Sequence, residues 1–92
     1  MRESDVERIV NEWAAANGIK TLKLASPNDR GKPDRMYFRK RTVAFVELKA
    51  PGEKPSKLQL RWLEKMRAEL FDASFFDNPA DAIRFLKMVF KV

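Results

Sequence analysis

The 92-residue chain contains neither cysteine nor histidine. The first absence excludes disulfides, thiolate metal sites and cysteine nucleophiles. The second removes imidazole bases, serine–histidine triads and histidine-bound metals. Any chemistry must rest on carboxylates, lysine, arginine, hydroxyls or an oxygen-bound metal. Long apolar runs are also missing: the longest, 13–16 and 43–46, hold four residues each, against the roughly 20 needed to span a bilayer. Met1-Arg2-Glu3-Ser4-Asp5 has no apolar signal core, so cytoplasmic residence is the expectation. Acidic residues are the scarcer sign: 13 against 19 Lys and Arg, for a net charge of +6. The imbalance is concentrated, since residues 20–67 hold 14 of the basic residues and only 5 of the acidic ones. A basic stretch of this kind suits a polyanionic partner.

What is present reads as one domain over residues 1–92, with no repeat and no low-complexity linker. Ser4 with Glu7 has capping-box spacing and opens a helix over 4–17. Val6, Ile9, Val10, Trp13 and Ala14 form its apolar stripe, and Asn17-Gly18 ends it. Ile19 to Leu24 alternates as a strand, and 26–31 is a loop of turn formers. A short strand at 36–38, a polar turn at 39–41 and a strand at 42–48 follow. The last is apolar on both faces, as a central strand should be. Ser56 caps a second helix to about residue 69, with Leu58, Trp62, Leu63, Met66 and Leu70 as its buried stripe. A strand at 73–76 precedes a final helix capped by Asp77 or Asn78, with Pro79 at its first position. The order αβββαβα predicts a small mixed sheet flanked by helices, an α/β (α+β) fold.

The stretch richest in chemistry is Gly31-Lys32-Pro33-Asp34, then 12 residues, then Glu47-Leu48-Lys49. Side chains repeat every two residues along a strand, so Glu47 and Lys49 share a face. If the preceding strand forms a hairpin with theirs, Asp34 comes beside Glu47. Two neighbouring carboxylates repel and are costly to bury. A divalent cation such as Mg²⁺ relieves both costs, lowers the pKa of a bound water and stabilises charge on a phosphodiester. A lysine beside it can orient or deprotonate the attacking water. An exposed ion pair at a strand end and ordinary turn chemistry at Pro33-Asp34 are the plainer alternatives.

Gly31-x-Pro33-Asp34-Arg35, then Phe45-Val46-Glu47-Leu48-Lys49-Ala50-Pro51-Gly52, then Leu58-Gln59, resembles the virus-type replication-repair nuclease (VRR-NUC) domain of the PD-(D/E)xK superfamily. The resemblance covers nearly the whole chain. It implies the αβββαβ topology with a terminal helix. It implies Asp34 and Glu47 as ligands of Mg²⁺ or Mn²⁺, with the Leu48 main-chain carbonyl as a further ligand, and Lys49 as the catalytic lysine. Gln59 matches a glutamine that lines the family's site. Glu7 matches an acidic residue of the first helix, close to the metal or its water shell. Its plainer role is the capping box. One departure is visible: where the family usually carries glycine between second helix and next strand, this chain reads Ala68-Glu69-Leu70-Phe71.

Arg30, Lys32, Arg35, Arg39, Lys40, Arg41, Lys54, Lys57 and Arg61 surround these residues in sequence and are expected phosphate contacts, which position DNA without reading its bases. Tyr37, Phe38, Phe45, Phe75 and Phe76 are expected in the core, not as a stacking platform. The last helix is apolar around most of its circumference, so Phe85, Met88 and Val89 are a candidate homodimer surface. Small stand-alone members of the family resemble homodimeric enzymes that cleave four-way junctions. The implied function is a metal-dependent, structure-selective DNA endonuclease, a Holliday-junction resolvase of DNA repair and recombination in a bacterial or phage-infected cell. Rivals are a flap, nicking or restriction-type nuclease, a non-catalytic DNA-binding module and a protein-interaction domain with an acidic partner.

Overall fold

A computed structural model describes residues 1–24 and 30–92. The order is α1 (Glu3–Ala16), β1 (Lys20–Lys23), β2 (Arg35–Arg39), β3 (Thr42–Leu48), α2 (Lys57–Ala68), β4 (Asp72–Phe76) and α3 (Pro79–Phe90). This is the expected αβββαβα sequence, with boundaries shifted by a residue or two. Of the 26–31 loop expected from the sequence, residues 26–29 lie outside the described residues. The four strands form one sheet in the order β1-β2-β3-β4, antiparallel except for the parallel β3–β4 pair. β3, apolar on both faces, is flanked by a strand on each side.

One face of the sheet is closed. Tyr37, Ala44, Val46 and Leu48 meet Val6, Val10 and Ala14 of α1 and Ala82, Leu86 and Phe90 of α3 in a single core. Every fourth or so residue of both helices lands on this face, and burial of each large aliphatic side chain is worth about 1.5–3 kcal/mol. The Tyr37 hydroxyl inside this face donates to Asn11 Oδ1 at 2.6 Å. Phe38, Phe45, Phe75 and Phe76 are half-buried.

The opposite face carries Val43, Phe45 and Glu47 and is covered in part by α2. Here the sequence reading needs correction. Of the expected stripe only Leu63 is buried; Trp62 and Met66 are half-buried, Leu58 is exposed and Leu70 is 92% exposed. A helix lying over one side of a four-stranded sheet shields only the residues beneath it. α3 is also less bare than its composition suggested. Phe85 packs at a tilt against Phe76, 5.2 Å between ring centroids, and Val89 packs on the core, which leaves Met88 exposed.

The helix ends are read from local chemistry. α1 starts one residue earlier than expected, and Ser4 is not its cap: Arg2 takes that place and the Asp5 carboxylate accepts from Arg2 N at 2.8 Å. Ser56 and Asn78 cap α2 and α3 as expected. α1 and α2 close alike, with 6→1 and 5→2 bonds: Ile19 N to Ala14 O with Gly18 N to Ala15 O, and Phe71 N to Met66 O with Leu70 N to Arg67 O. This motif needs a left-handed residue. Gly18 supplies it at φ +71°, whereas Leu70 adopts φ +66° with a side chain attached. The glycine that the resemblance led one to expect at this join is therefore replaced without losing the turn.

At the outer edge of the sheet, Lys49 N donates to Phe76 O across the β3–β4 pair. Pairing alternates along a parallel strand, so the Ala73 carbonyl faces outward. Arg67 Nε donates to it at 2.7 Å, and the same guanidinium reaches Ser74 Oγ at 3.3 Å.

Candidate active site

The hairpin brings Asp34 and Glu47 together. β2 and β3 pair from Arg39↔Thr42 to Arg35↔Val46, and one further step sets Asp34 opposite Glu47. Asp34 is fixed from both sides. Its carbonyl accepts from Leu24 N at 2.7 Å, and the preceding Pro33 is fully buried. Gly31 permits the approach: a Cβ there would lie 2.5 Å from Leu58 Cγ and 3.0 Å from the Leu58 backbone, and its φ is +87°. The Gly-x-Pro-Asp run thus seats the chain against α2 and delivers a carboxylate to the end of β3.

Among the described residues Glu47 is the one charged residue that is buried, with 1% exposure. Its Oε2 receives Lys49 Nζ at 3.4 Å and Gln59 Nε2 at 3.2 Å. Gln59 is oriented by the cap of its own helix. Its Oε1 accepts from Ser56 N at 2.8 Å, which leaves the amide NH₂ to face Glu47. A capping box, normally a device of helix stability, here also sets the direction of a side-chain donor in the site. Glu47 Oε1 is buried and has no hydrogen-bond partner among the described residues. Burial first, then the neighbouring Asp34 carboxyl, pushes Glu47 up to about 8, against the pull of Lys49.

Glu7 stands at the margin. Its Oε1 accepts from Arg35 Nε at 3.2 Å, and both side chains are largely buried. Arg35 Nη1 also reaches Thr21 Oγ1 at 3.4 Å. This guanidinium, expected as a phosphate contact, is committed inward. Glu3 is the residue that the sequence reading missed. Burial, followed by the charge of Asp34, holds its carboxyl above the usual range, while Lys49 pulls it down. Glu3, in the first turn of α1, is therefore within electrostatic reach of Asp34 and Lys49. The available signal was its i, i+4 spacing with Glu7, which puts both on one side of the helix.

Among the described residues no three carboxylates gather into one metal-binding cluster. Two carboxylates with main-chain and water oxygens are nonetheless a usual Mg²⁺ environment. The donorless Glu47 Oε1, buried beside Asp34, is what a cation would satisfy, so the residues fit an oxygen-bound metal. Arg30, Lys40, Arg41, Lys54, Lys57 and Arg61 are exposed; Lys32 and Arg39 are half-buried.

A mixed sheet that carries Asp, Glu-x-Lys and a helix-borne Gln at one strand end defines a PD-(D/E)xK-type nuclease fold. Two solved structures agree. A "VRR_NUC domain" is 25% identical, covers 92% of this chain and 94% of that one, and superposes with a TM-score of 0.82. A "VRR_NUC domain protein" is 18% identical and covers 99% and 89%, with a TM-score of 0.80, a likeness of fold alone. Among curated proteins, "Putative nuclease p44" of Acyrthosiphon pisum secondary endosymbiont phage 1 is 44% identical over 63 residues, 66% of this chain and 67% of the relative. No family model matches the sequence. The chain belongs to the VRR-NUC family of nucleases.

Proposed function

We propose that the protein is a divalent-metal-dependent, structure-selective DNA endonuclease that acts as a homodimeric Holliday-junction resolvase. The observation that carries the reading is the buried Glu47, which shares one strand end with Asp34, Lys49 and Gln59 and keeps a donorless oxygen. Asp34, Glu47 and the Leu48 carbonyl would hold Mg²⁺ or Mn²⁺. Such an ion supplies charge neutralisation at the scissile phosphate and lowers the pKa of a bound water.

The chain's own groups have separate duties. Lys49 Nζ is held by Glu47 Oε2 and would stand beside the attacking water and the phosphate oxygens. There it can orient the water and offset charge that develops in the transition state. Gln59 fixes the Glu47 carboxylate in one rotamer, so its second oxygen stays aimed at the ligand position. Glu3 and Glu7 line the approach from α1. Arg35 keeps Glu7 in place and tethers α1 to β2 beside Thr21. The half-buried and exposed cations around the site would hold the DNA backbone without regard to sequence.

Two cuts in a symmetric junction require two sites related by a two-fold axis. The groove between β4 and α3, lined by Ser74, Phe76, Asp81, Arg84, Phe85 and Met88, is a candidate for that contact. The test is cleavage of an end-labelled four-way junction beside flap, nicked and linear duplexes, each with Mg²⁺, Mn²⁺ or chelator, for wild type and Lys49→Ala. Paired symmetric nicks, lost with chelator and in the variant, are the expected result. Cleavage of flaps or linear duplex instead would keep the site and replace the substrate. Tight binding without cleavage under any metal would mean a DNA-binding scaffold.

A further inference from the structure

The far end of the β2–β3 hairpin is built differently from a solvated turn. Lys20, Phe38, Arg39 and Lys40 line a hollow of about 290 Å³ with Gly18. Among the described residues, none of Lys20, Arg39, Lys40 and Arg41 forms an ion pair. Arg39 lies over Gly18, with Nε 3.5 Å from where a Cβ would stand. It sits at the C-terminal end of α1, whose last turn has no basic residue. The negative end of the helix dipole steadies that guanidinium. Lys20 and Lys40 beside it have no such compensation.

The backbone adds a second, independent observation. Lys40 and Arg41 are the two central residues of the turn, at φ +46° and +68°. Both positions favour Asn-Gly, and a left-handed conformation strains any residue with a Cβ. Two long cations are thus held at the tip at a cost in stability. A merely polar turn would be filled by residues that fit it.

We propose that this end is a second DNA-backbone anchor, in which Lys20, Arg39, Lys40 and Arg41 grip phosphates remote from the scissile bond. Lys20 pairs with Phe38, and Phe38 with Val43; Val43, Phe45 and Glu47 alternate onto one face, so Lys20 and Glu47 share a side of the sheet. From Thr42 to Glu47 is five residues, about 17 Å at roughly 3.3 Å per residue. That distance is about five base-pair steps of duplex. Backbone held at both ends of the hairpin would run along the β1–β2 side of this face, where Leu22 is exposed and α2 does not reach, and the anchor would select substrates with a duplex arm at least that long. The inference rests on the reading of the Glu47 end as the site of DNA cleavage.

The experiment measures binding in chelator, so that it does not depend on cleavage. Fluorescence anisotropy would follow a 30-base-pair duplex and a short, 4-base-pair duplex closed by a hairpin loop over a range of salt concentrations. The variants are Lys40→Asn with Arg41→Gly, which fits the turn better than the native pair, and Lys20→Ala. Loss of two phosphate contacts should lower the salt slope on the long duplex by about 2 and weaken binding roughly 50-fold at 0.1 M salt. Lys20→Ala should lower the slope by about 1. The deficit should shrink on the short duplex. Unchanged slope and affinity on the long duplex, with melting temperature retained, would overturn the anchor, as would equal losses on both lengths. Cleavage of the four-way junction and of its flap, nicked and linear controls with Mg²⁺ separates the two proposals. Lys49-dependent cleavage with unaltered variant binding defeats the anchor alone. Variant-sensitive binding without cleavage leaves the anchor and defeats the nuclease reading of the site.

Discussion

The two faces of the sheet follow different rules. The face beneath α1 and α3 is apolar and closed, with Val6, Val10, Ala14, Ala44, Val46, Leu48, Ala82 and Leu86 fully buried. The face beneath α2 holds a buried carboxylate, a lysine, an oriented amide and half-covered aromatics. β3 serves both, since alternate residues point to opposite sides. Val46 and Leu48 anchor the strand in the core, while Glu47 between them is carried rigidly into the site. A site built this way can have costly chemistry, because the reverse face supplies the stability that holds it.

The comparison can be broken most severely at Lys49. Lys49→Ala should reduce the rate of DNA cleavage about 10³-fold, a barrier change of roughly 4 kcal/mol, while the melting temperature stays near that of wild type. Single-turnover kinetics beside thermal unfolding would check this. A large loss of stability would mean that the two faces are not separable.

Leu86→Ala makes the mirror test. It leaves a cavity in the closed face and should cost about 2–5 kcal/mol in denaturant unfolding. Cleavage by the molecules that remain folded should be little changed.

Glu47→Gln sharpens the contrast through pH. Glu47 titrates near 8 when folded and near the ordinary carboxylate value when unfolded. The native state therefore holds its proton more tightly, and the associated stability is complete at low pH and is lost as pH rises through about 8. In chelator, Glu47→Gln should flatten that decline between about pH 5 and 8 and unfold later than wild type at pH 9, by on the order of 2 kcal/mol. Mg²⁺ should raise the melting temperature of wild type and not of the variant. An unchanged pH profile would show that burial at this strand end imposes no penalty.

The smallest effect is expected at Leu70→Gly. The side chain is 92% exposed, so little burial is lost, and a left-handed strain is removed. Stability should rise by about 0.5–1 kcal/mol, read from the midpoint of denaturant unfolding. A loss would reveal that Leu70 contributes contacts on the open face.

Much of the closed face was legible in the sequence because periodicity reports burial directly. The apolar run of β3, the Ser56 and Asn78 caps and the Asn17-Gly18 stop all produced the expected elements. The adjacency of Asp34 and Glu47 was also legible, since strand alternation plus a hairpin leaves few registers. The open face was less so. The stripe of α2 looked like a core stripe, yet which part of it is covered depends on where the helix crosses the sheet, a tertiary property. Ser4 with Glu7 looked like the capping box of α1, yet the Asp5 carboxylate takes the Arg2 N–H instead and the helix starts at Glu3. Glu3 was hidden because its relevance comes from the approach of α1 to Asp34. Arg35 resembled its basic neighbours and was distinguished only by the carboxylate that faces it.

The hold of Arg67 on the outward Ala73 carbonyl has a consequence for how molecules of this protein meet. An open strand edge invites a neighbour's backbone to extend the sheet. At Ala73 that invitation is already answered by a guanidinium from the same chain. There a neighbouring strand finds no free carbonyl to pair with, so this stretch of edge is less open to extension of the sheet into a ribbon.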